Sequence, residues 1–446
     1  MNYIINLLFL ILLSLFGYWI IFPKEGLIYN FEVQFLSLLI VIVSLYILFY
    51  RDKSPFSLNI VTNLFFVFFI GLSPAIQFQY GISFFEDKGK LTIDEFKLGN
   101  RIFLCVVLLY NIGYLFLKSK WKYQKLLDRK NIFKSENKYS DKGIIIIGLF
   151  FTLIILTYFE FDFKILLSRW YLSESYFSSN STIYAVINVL RATPLLLIIF
   201  YKTSENSNLR TEFFLFILLV LLNFPTSIPR YRVAIIYLPV FLIYFKPLFK
   251  RYVFTVLYVL SFLIIFPFLS NFRHKEYSIK FPEINLNTFK TLNFDTFQNT
   301  LNVIVNNIIT YGEQLIGVVL FFIPRKFWLN KPEGSHKVLA ERLNYDGFSN
   351  VAISFFGEGF INFGYVGIVS FTLVLVFFNS KIDKLFWTSS DKQKPLLVVF
   401  YFILIPIILY LLRGSLMPSF ANLVGYFVLG ILLNELIQLT ILKTPD

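Results

Sequence analysis

The chain has 446 residues, of which 57% are hydrophobic and 15% are charged, and its formal net charge is +14. Its mean hydropathy of +0.68 is too high for a soluble globular protein, and a single cysteine, Cys105, excludes a disulfide framework and a thiol-ligated metal site. The charge does not predict nucleic-acid binding, because basic loops beside an anionic membrane leaflet account for much of the excess. The composition predicts a polytopic membrane protein.

Apolar runs recur along the whole chain, and each is long enough to cross a hydrocarbon core about 30 Å thick. Because the bilayer interior offers no water to the backbone, these runs must be helices. We therefore predict an all-α fold of about twelve spans in one integral membrane domain, residues 1–446. The spans are expected at 4–22, 31–50, 58–76, 97–117, 143–159, 182–201, 212–228, 231–247, 252–270, 353–379, 395–412 and 418–441.

The distribution of Lys and Arg predicts the orientation, because cytoplasmic loops carry an excess of basic residues. The loop 118–142 holds nine of them, whereas the short loops on the other side hold few. This bias places both termini in the cytoplasm and the one long loop, 271–352, outside. Within that loop, 299–311 repeats apolar residues at helical spacing and 314–323 is too short to span. We expect 299–311 to form a short helix at the membrane interface or against the bundle, and 314–323 is a candidate re-entrant segment.

Three arginines occupy positions that need an explanation. Arg191 lies within a span and precedes Pro194, which can kink the helix. Arg230 and Arg232 follow two prolines at an outside boundary, against the charge bias. Since the planar guanidinium matches two phosphate oxygens at once, these residues are candidate ligands of an anionic headgroup. Pairing with an acid, or snorkelling from a tilted helix, is the alternative for Arg191.

A polar, basic stretch interrupts the apolar sequence in I-P-R-K-F-W-L-N-K-P (323–332). Its two prolines stiffen the backbone around Arg325 and Lys331, which are further candidate anion ligands. Trp328 can stack on a sugar face or lie in the headgroup belt. His336 follows, and it is either a general acid or base or a structural histidine.

Glu358 lies between two glycines in G-E-G-F-I-N-F-G, within the first turns of the predicted tenth span. A carboxylate there must be neutral, paired or turned towards a wet site. Asn362 lies one turn further on the same helix face. We expect Glu358 to serve chemistry; a paired glutamate among helix-packing glycines is the alternative. Motifs of phosphate-binding loops, metal-dependent sugar transferases and serine hydrolases are absent from the sequence, so no cofactor or metal is predicted.

The segments I-P-R-K-F-W-L-N-K-P (323–332), G-S-H (334–336) and F-G-E-G-F-I-N-F-G-Y-V-G (356–367) resemble the O-antigen polymerase (Wzy-type) family. About twelve spans with one large outside loop before the last three are also similar to that family. The motif resemblance covers about 45 residues. No arginine here has glycine at the R-x10-G spacing of some members, so the roles of those arginines are not carried over.

The resemblance implies a multi-pass glycosyltransferase of the bacterial cytoplasmic (inner) membrane, with a GT-C-like fold and no cofactor. A growing glycan would pass from undecaprenyl diphosphate to the non-reducing end of a new lipid-linked repeat unit. A flippase and a chain-length regulator would be partners, besides membrane lipids. The residues expected to act are Glu358 and His336 in catalysis, Arg230, Arg232, Arg191, Arg325 and Lys331 on the diphosphate, and Trp328, Asn362 and Trp170 on sugars.

Three alternatives remain open. An O-antigen ligase uses the same donor but transfers the glycan to lipid A-core. Another GT-C transferase would use a polyprenyl-phosphate sugar and a catalytic acid in the first outside loop, where Glu25 and Glu32 are available. A flippase would move the lipid-linked unit without chemistry, although no two related halves are evident in the sequence. The sequence also leaves open the sugars, the linkage and the product, which is O-antigen, capsule or exopolysaccharide.

Overall fold

The computed structural model describes residues 2–22, 26–85, 89–119, 132–133, 137–167, 181–268, 286–345, 351–388 and 394–440. These residues form helices and turns, and no strand element occurs among them. Nine of their helices are long and apolar enough to cross a membrane. The prediction of an all-helical, multi-pass membrane protein is confirmed at this level.

Fifteen helices carry the labels used below. In chain order they are α1 (Tyr3–Ile21), α2 (Phe31–Arg51), α3 (Leu58–Gln79), α4 (Ile93–Ser119), α5 (Asp141–Tyr158), α6 (Ile183–Thr203), α7 (Leu209–Leu222), α8 (Arg230–Tyr244), α9 (Val253–Ile265), α10 (Thr296–Val305), α11 (Glu313–Val319), α12 (Ser335–Arg342), α13 (Phe355–Trp387), α14 (Pro395–Arg413) and α15 (Leu416–Gln438). All but α7 to α12 meet the length and hydropathy expected of a span. Shorter 3-10 turns occupy Lys246–Phe249, Leu286–Lys290 and Leu292–Phe294.

Three predicted spans coincide with the shorter helices α7, α8 and α9. The 14 residues of α7 rise roughly 21 Å, less than a full hydrocarbon core. The two tips of α8 make polar contacts on the two sides of the bundle. Arg230 donates to Asn293 at 2.6 Å on one side, and Tyr244 donates to Glu212 at 2.9 Å on the other. We call the side that carries residues 286–345 and 351–354 the loop end, and the other side the opposite end.

The centre of the bundle is α3, which is buried along its whole apolar window. Part of it, Phe66–Leu72, is a π-helix, and Phe68 there stacks on Phe262 of α9 with 4.9 Å between the ring centroids. Gly71 permits close approach of α2, since a Cβ at this position would lie 2.6 Å from Val41. Aromatic rings and one glycine thus let α2 and α9 pack tightly on α3.

The opposite end is closed by a buried carboxylate, Asp383 of α13. Its two oxygens accept the backbone N–H groups of Leu58 and Asn59 at 3.0 and 3.3 Å, at the start of α3. The hydroxyls of Tyr114 and Tyr401 donate to the same carboxylate at 2.9 and 2.7 Å. Four donors from three helices therefore fix this end of the bundle.

Within the described part of the long loop, the helices pack against the bundle. Thr296 to Ile304 of α10 are buried, and Gln298 donates to the carbonyl of Ile82 at 2.9 Å. The sequence predicted a helix here either at the membrane interface or against the bundle, and α10 lies against the bundle. The apolar run at 314–323 forms only the seven-residue α11 and a turn, so it does not span.

A sharp bend divides α13 at Phe363 and Gly364. Gly364 has φ 61° and ψ −146°, a conformation that is accessible essentially only to glycine. The bend brings two further glycines together, because a Cβ on Gly367 would lie 1.8 Å from the carbonyl oxygen of Gly359. The segment before the bend, residues 355–362, can therefore carry Glu358 and Asn362 into the loop end.

Candidate functional site

Two buried arginines meet beside a break in α6. Arg191 is 2% exposed and lies in the turn before Pro194, where its Nε donates to the carbonyl of Leu222 at 2.6 Å. Arg232, near the start of α8, is 5% exposed and donates two hydrogen bonds to Asn188. We call Arg191 and Arg232 the arginine pair.

The charge of this pair is not compensated within the described residues. No acidic side chain there lies within ion-pair distance of either arginine. Nη2 of Arg191 and Nε of Arg232 are buried, and neither has a hydrogen-bond partner in that part of the chain. Burying two unpaired cations is costly, so the arrangement suits an anionic ligand with several oxygens.

Arg230 and Arg232 have different hydrogen-bond partners. It is partly buried and donates to Asn293 at 2.6 Å, which joins the start of α8 to the long loop. Arg191 and Arg232 therefore lie close together, whereas Arg230 contacts the loop at Asn293.

Arg325 and Lys331 brace the loop. Nζ of Lys331 donates to the carbonyls of Phe321 and Ile323 at 2.6 and 2.8 Å, and Nη1 of Arg325 donates to the carbonyl of Lys331 at 2.8 Å. Burial and the charge of Arg325 lower the pKa of Lys331. Both side chains thus close the turn that presents Trp328, and no hydrogen bond or ion pair in the described chain joins them to the arginine pair.

Glu358 is 1% exposed and both of its oxygens are engaged. Oε2 accepts the hydroxyl of Ser335 at 2.5 Å, and Oε1 accepts the backbone N–H of Leu416 at 2.8 Å. These donors open α12 and α15, where the helix dipole favours a negative charge. The carboxylate therefore joins three segments of the loop end.

Asn362 holds α11, the helix that faces α12 across the loop. Its Nδ2 donates to the carbonyl of Glu358 at 2.9 Å, and its Oδ1 accepts the backbone N–H of Leu315 at 2.8 Å. Leu315 is in the first turn of α11, whose own cap residue, Gly312, offers no side-chain acceptor. Asn362 thus supplies the missing cap, and one turn of α13 positions both α11 and α12.

His336 follows the serine that binds Glu358. It is half-buried, and its Nδ1 has no hydrogen-bond partner among the residues with described positions. Burial, and then the charge of Lys337, lower the pKa of His336, while Glu333 opposes the shift. The lowered pKa favours the neutral imidazole.

A cleft of about 430 Å³ opens between α11 and α12, and we call it the loop cleft. Trp328 lies on it, so this expected sugar contact is part of a concave site. The other expected aromatic contact, Trp170, lies outside the described residues. The polar residues on the walls of the loop cleft are Glu313, Gln314, Asn330, Glu333 and Glu341.

The arginine pair and Glu358 do not form one catalytic constellation. Val189 of α6 contacts α15 at Gly425, where a Cβ would lie 2.8 Å from the valine. Gly425 is nine residues beyond Leu416, the partner of Glu358, which corresponds to roughly 14 Å along the helix. The structure therefore separates two sites, one around the arginine pair and one at the loop cleft.

A buried acid at the loop end, Asp295, had no signal in the sequence. This side chain is 1% exposed, and burial raises its pKa to about 6. Arg413, whose Nη2 lies 3.9 Å away, and the hydrogen bonds to the carboxylate act in the opposite direction and lower the pKa. Its Oδ2 accepts from Asn299 at 2.9 Å and from the backbone N–H of Ala352 at 3.2 Å.

Asn188 and Gln314 are two further residues that the sequence reasoning missed. Asn188 could have been found, because it precedes Arg191 by three residues and lies on the same helix face. Gln314 offered no comparable signal. In the described chain, no three His, Cys, Asp or Glu side chains come together as a metal site.

Comparison with known proteins finds no relative of this chain. No protein-family model, curated protein or solved structure matches the chain.

Proposed function

We propose that this protein polymerises undecaprenyl-diphosphate-linked oligosaccharide repeat units at the outer face of the bacterial cytoplasmic membrane. The product would be O-antigen, capsule or exopolysaccharide. In this proposal α1 to α9 and α13 to α15 make about twelve crossings of a GT-C-like fold, with the loop end outside and both termini in the cytoplasm. Support for counting the short helices comes from α8, which has contacts at both ends of the bundle.

The observation that carries the proposal is the arginine pair. Two guanidinium groups, 2% and 5% exposed, have unpartnered N–H groups and no acidic partner in the described residues. A diphosphate provides both the negative charge and the oxygens that these groups lack. On binding, it would replace Asn188 as the partner of Arg232.

The chemistry needs such a cationic site because charge develops on the leaving group. In the transfer, the bond from the anomeric carbon of the growing glycan to the diphosphate oxygen breaks. The acceptor hydroxyl oxygen forms the new glycosidic bond, and its proton passes to a base. Undecaprenyl diphosphate leaves with the electron pair, and preorganised arginines stabilise that charge. No metal or cofactor takes part in this proposal.

For the base, the geometry favours His336 over Glu358. Both oxygens of Glu358 already accept hydrogen bonds, whereas the buried Nδ1 of His336 is unpartnered among the described residues, and burial lowers the pKa of this imidazole. Leu416, which binds Glu358, lies roughly 14 Å along α15 from Gly425, where Val189 of α6 makes contact, so the proposal requires the loop to close over bound substrates.

Asn188→Asp tests the role of the arginine pair most sharply. The substitution keeps the shape of the side chain and places a carboxylate on Arg232, which neutralises the anion site from within. We expect unchanged or higher thermal stability and a loss of at least about 100-fold in polymer formation, which corresponds to about 2.7 kcal/mol of transition-state stabilisation. Purified protein, the lipid-linked repeat unit and gel analysis of chain length provide the assay.

Arg101→Gln is the matched control, because Arg101 pairs with Glu32 on an exposed surface. Wild-type ladders from Asn188→Asp would overturn the assignment of the arginine pair. The assay also separates the alternatives. A ligase releases undecaprenyl diphosphate only when lipid A-core is supplied, and a flippase releases none.

A further inference from the structure

We infer that the loop cleft binds the non-reducing, phosphate-free end of the acceptor saccharide. The inference rests on the proposed function and deepens it, since it separates the acceptor from the diphosphate-bearing end of the donor. The cleft between α11 and α12, of about 430 Å³, is within the range of ligand pockets, roughly 300–1,000 Å³.

The wall chemistry of the cleft fits a ligand rich in hydroxyl groups. Glu313 and Glu341 form no ion pair in the described chain, so their oxygens can accept hydrogen bonds from a ligand. Trp328 adds an aromatic face, on which the C–H side of a sugar ring can pack.

An independent observation comes from Gln314. This side chain lines the cleft and is 4% exposed, yet its Oε1 has no hydrogen-bond partner in the described part of the chain. A buried acceptor without a donor costs about 1–3 kcal/mol. A ligand hydroxyl would supply the missing donor.

The same walls disfavour a phosphate. No Lys, Arg or His lines the cleft, while three glutamates do. The nearby cations already have partners. Lys331 binds backbone carbonyls, and Arg325 and Lys337 pair with Glu333 of the wall at 3.5 and 3.3 Å. The saccharide end that is remote from the diphosphate therefore fits this cleft, and the diphosphate does not.

The cleft is also held in shape from beneath. Asn362 caps α11 through the N–H of Leu315, and Glu358 binds Ser335 at the start of α12. Two buried polar residues one turn apart in α13 thus set the distance between the walls. Glu358 and Asn362 are positioning residues for the saccharide, which accounts for their burial beside a polar loop.

The test measures binding of a lipid-free saccharide to the full chain in lipid nanodiscs. The probe is the neutral repeat-unit oligosaccharide, released by mild acid from the polysaccharide of the producing strain. Hydrogen–deuterium exchange should show protection of residues 313–319 and 335–342. Trp328→Ala and Glu341→Gln should each weaken binding at least about tenfold. Leu329→Ala, at an 84% exposed neighbour that does not line the cleft, should leave it unchanged.

The outcomes separate this inference from the proposed function. If the wild type polymerises and Asn188→Asp does not, but the saccharide protects neither α11 nor α12, the cleft assignment is wrong and the proposed function stands. If the saccharide protects both helices but no glycosyl transfer occurs, the cleft stands and the polymerase assignment falls. Equal affinity in Trp328→Ala, Glu341→Gln and the wild type would also overturn the inference.

Discussion

The backbone N–H of Leu416 donates to the carboxylate of Glu358 at 2.8 Å, which ties the first turn of α15 to the bent helix α13. Ser335 donates to the second oxygen at 2.5 Å and adds α12 to the same junction. One buried acid therefore sets the relative positions of three segments, although the local sequence around it only indicates a glutamate between glycines.

Substitutions of Glu358 separate an anchoring role from a chemical one. Glutamine keeps an oxygen for Leu416, and its amide can donate to Ser335, so we expect a stability loss within about 1 kcal/mol. Leucine leaves two buried donors unpaired and should cost about 2–5 kcal/mol. Thermal unfolding of the purified protein measures both. Complete loss of glycosyl transfer in Glu358→Gln, with an unshifted unfolding temperature, would show instead that the carboxylate takes part in chemistry.

The stability should depend on pH through Asp295. Since burial raises the pKa of this acid from 3.8 to about 6, the folded state holds its proton more tightly than the unfolded state. The resulting stabilisation is fully present below pH 3.8 and is lost as the pH rises through 6. It amounts to at most about 3 kcal/mol.

Asp295→Asn removes this titration and is the comparison for the pH profile. Between pH 4.5 and 7, the free energy of unfolding of the wild type should fall relative to that of the variant. Parallel profiles across this range would mean that Arg413, 3.9 Å away, keeps Asp295 ionised in the fold.

The bend in α13 should not tolerate a side chain at Gly367. A methyl group there would lie 1.8 Å from the carbonyl oxygen of Gly359, so the backbones on the two sides of the bend would have to separate. We expect Gly367→Ala to cost about 3 kcal/mol or more. Gly17→Ala is the control, since its new methyl group would meet only Leu38 at 3.9 Å. Similar unfolding temperatures for the two variants would contradict the close contact.

At the opposite end, Lys118→Gln should be strongly destabilising. Nζ of Lys118 lies 2.8 Å from the carboxylate of the fully buried Asp52. Burial alone would raise the pKa of Asp52, but Lys118 and hydrogen-bond donors lower this pKa to about 2. Removing one partner of a buried pair costs about 3–5 kcal/mol.

An exposed pair provides the comparison for that measurement. Lys138 lies 4.0 Å from Glu205, and both side chains are more than 40% exposed. Lys138→Gln should therefore cost under about 1 kcal/mol. The double variant of Lys118→Gln and Asp52→Asn should recover part of the stability lost in the single one. Equal effects of the two lysine substitutions would rule out a dominant role for the buried pair.

The parts of the fold that could be predicted are those with local causes. Long apolar runs mark the spans because the bilayer imposes both length and helical hydrogen bonding on each run separately. The short helices α7 and α8 meet at a turn that the sequence shows as two prolines. The break in α6 was likewise indicated by Pro194, three residues after Arg191.

The parts that could not be predicted depend on residues that are distant in the chain. The capping of α11 by Asn362 joins residues 47 positions apart, and the binding of Leu416 by Glu358 joins residues 58 apart. Asp295 meets Arg413 across more than a hundred residues. No periodicity records such contacts. Asn188 differs from these cases, because it lies one helical turn before Arg191 and local spacing could have indicated it.

The hydrogen bonds of Arg191 also have a consequence for biogenesis. An arginine near the centre of a span opposes insertion by about 2.5 kcal/mol or more. Its Nε is satisfied by the carbonyl of Leu222, at the end of α7, and its own carbonyl accepts Nδ2 of Asn223 at 2.7 Å. Neither partner exists until α7 has been synthesised. We therefore expect α6 to leave the translocon together with α7, as a hairpin, and a chain truncated before residue 222 to retain α6 poorly in the membrane.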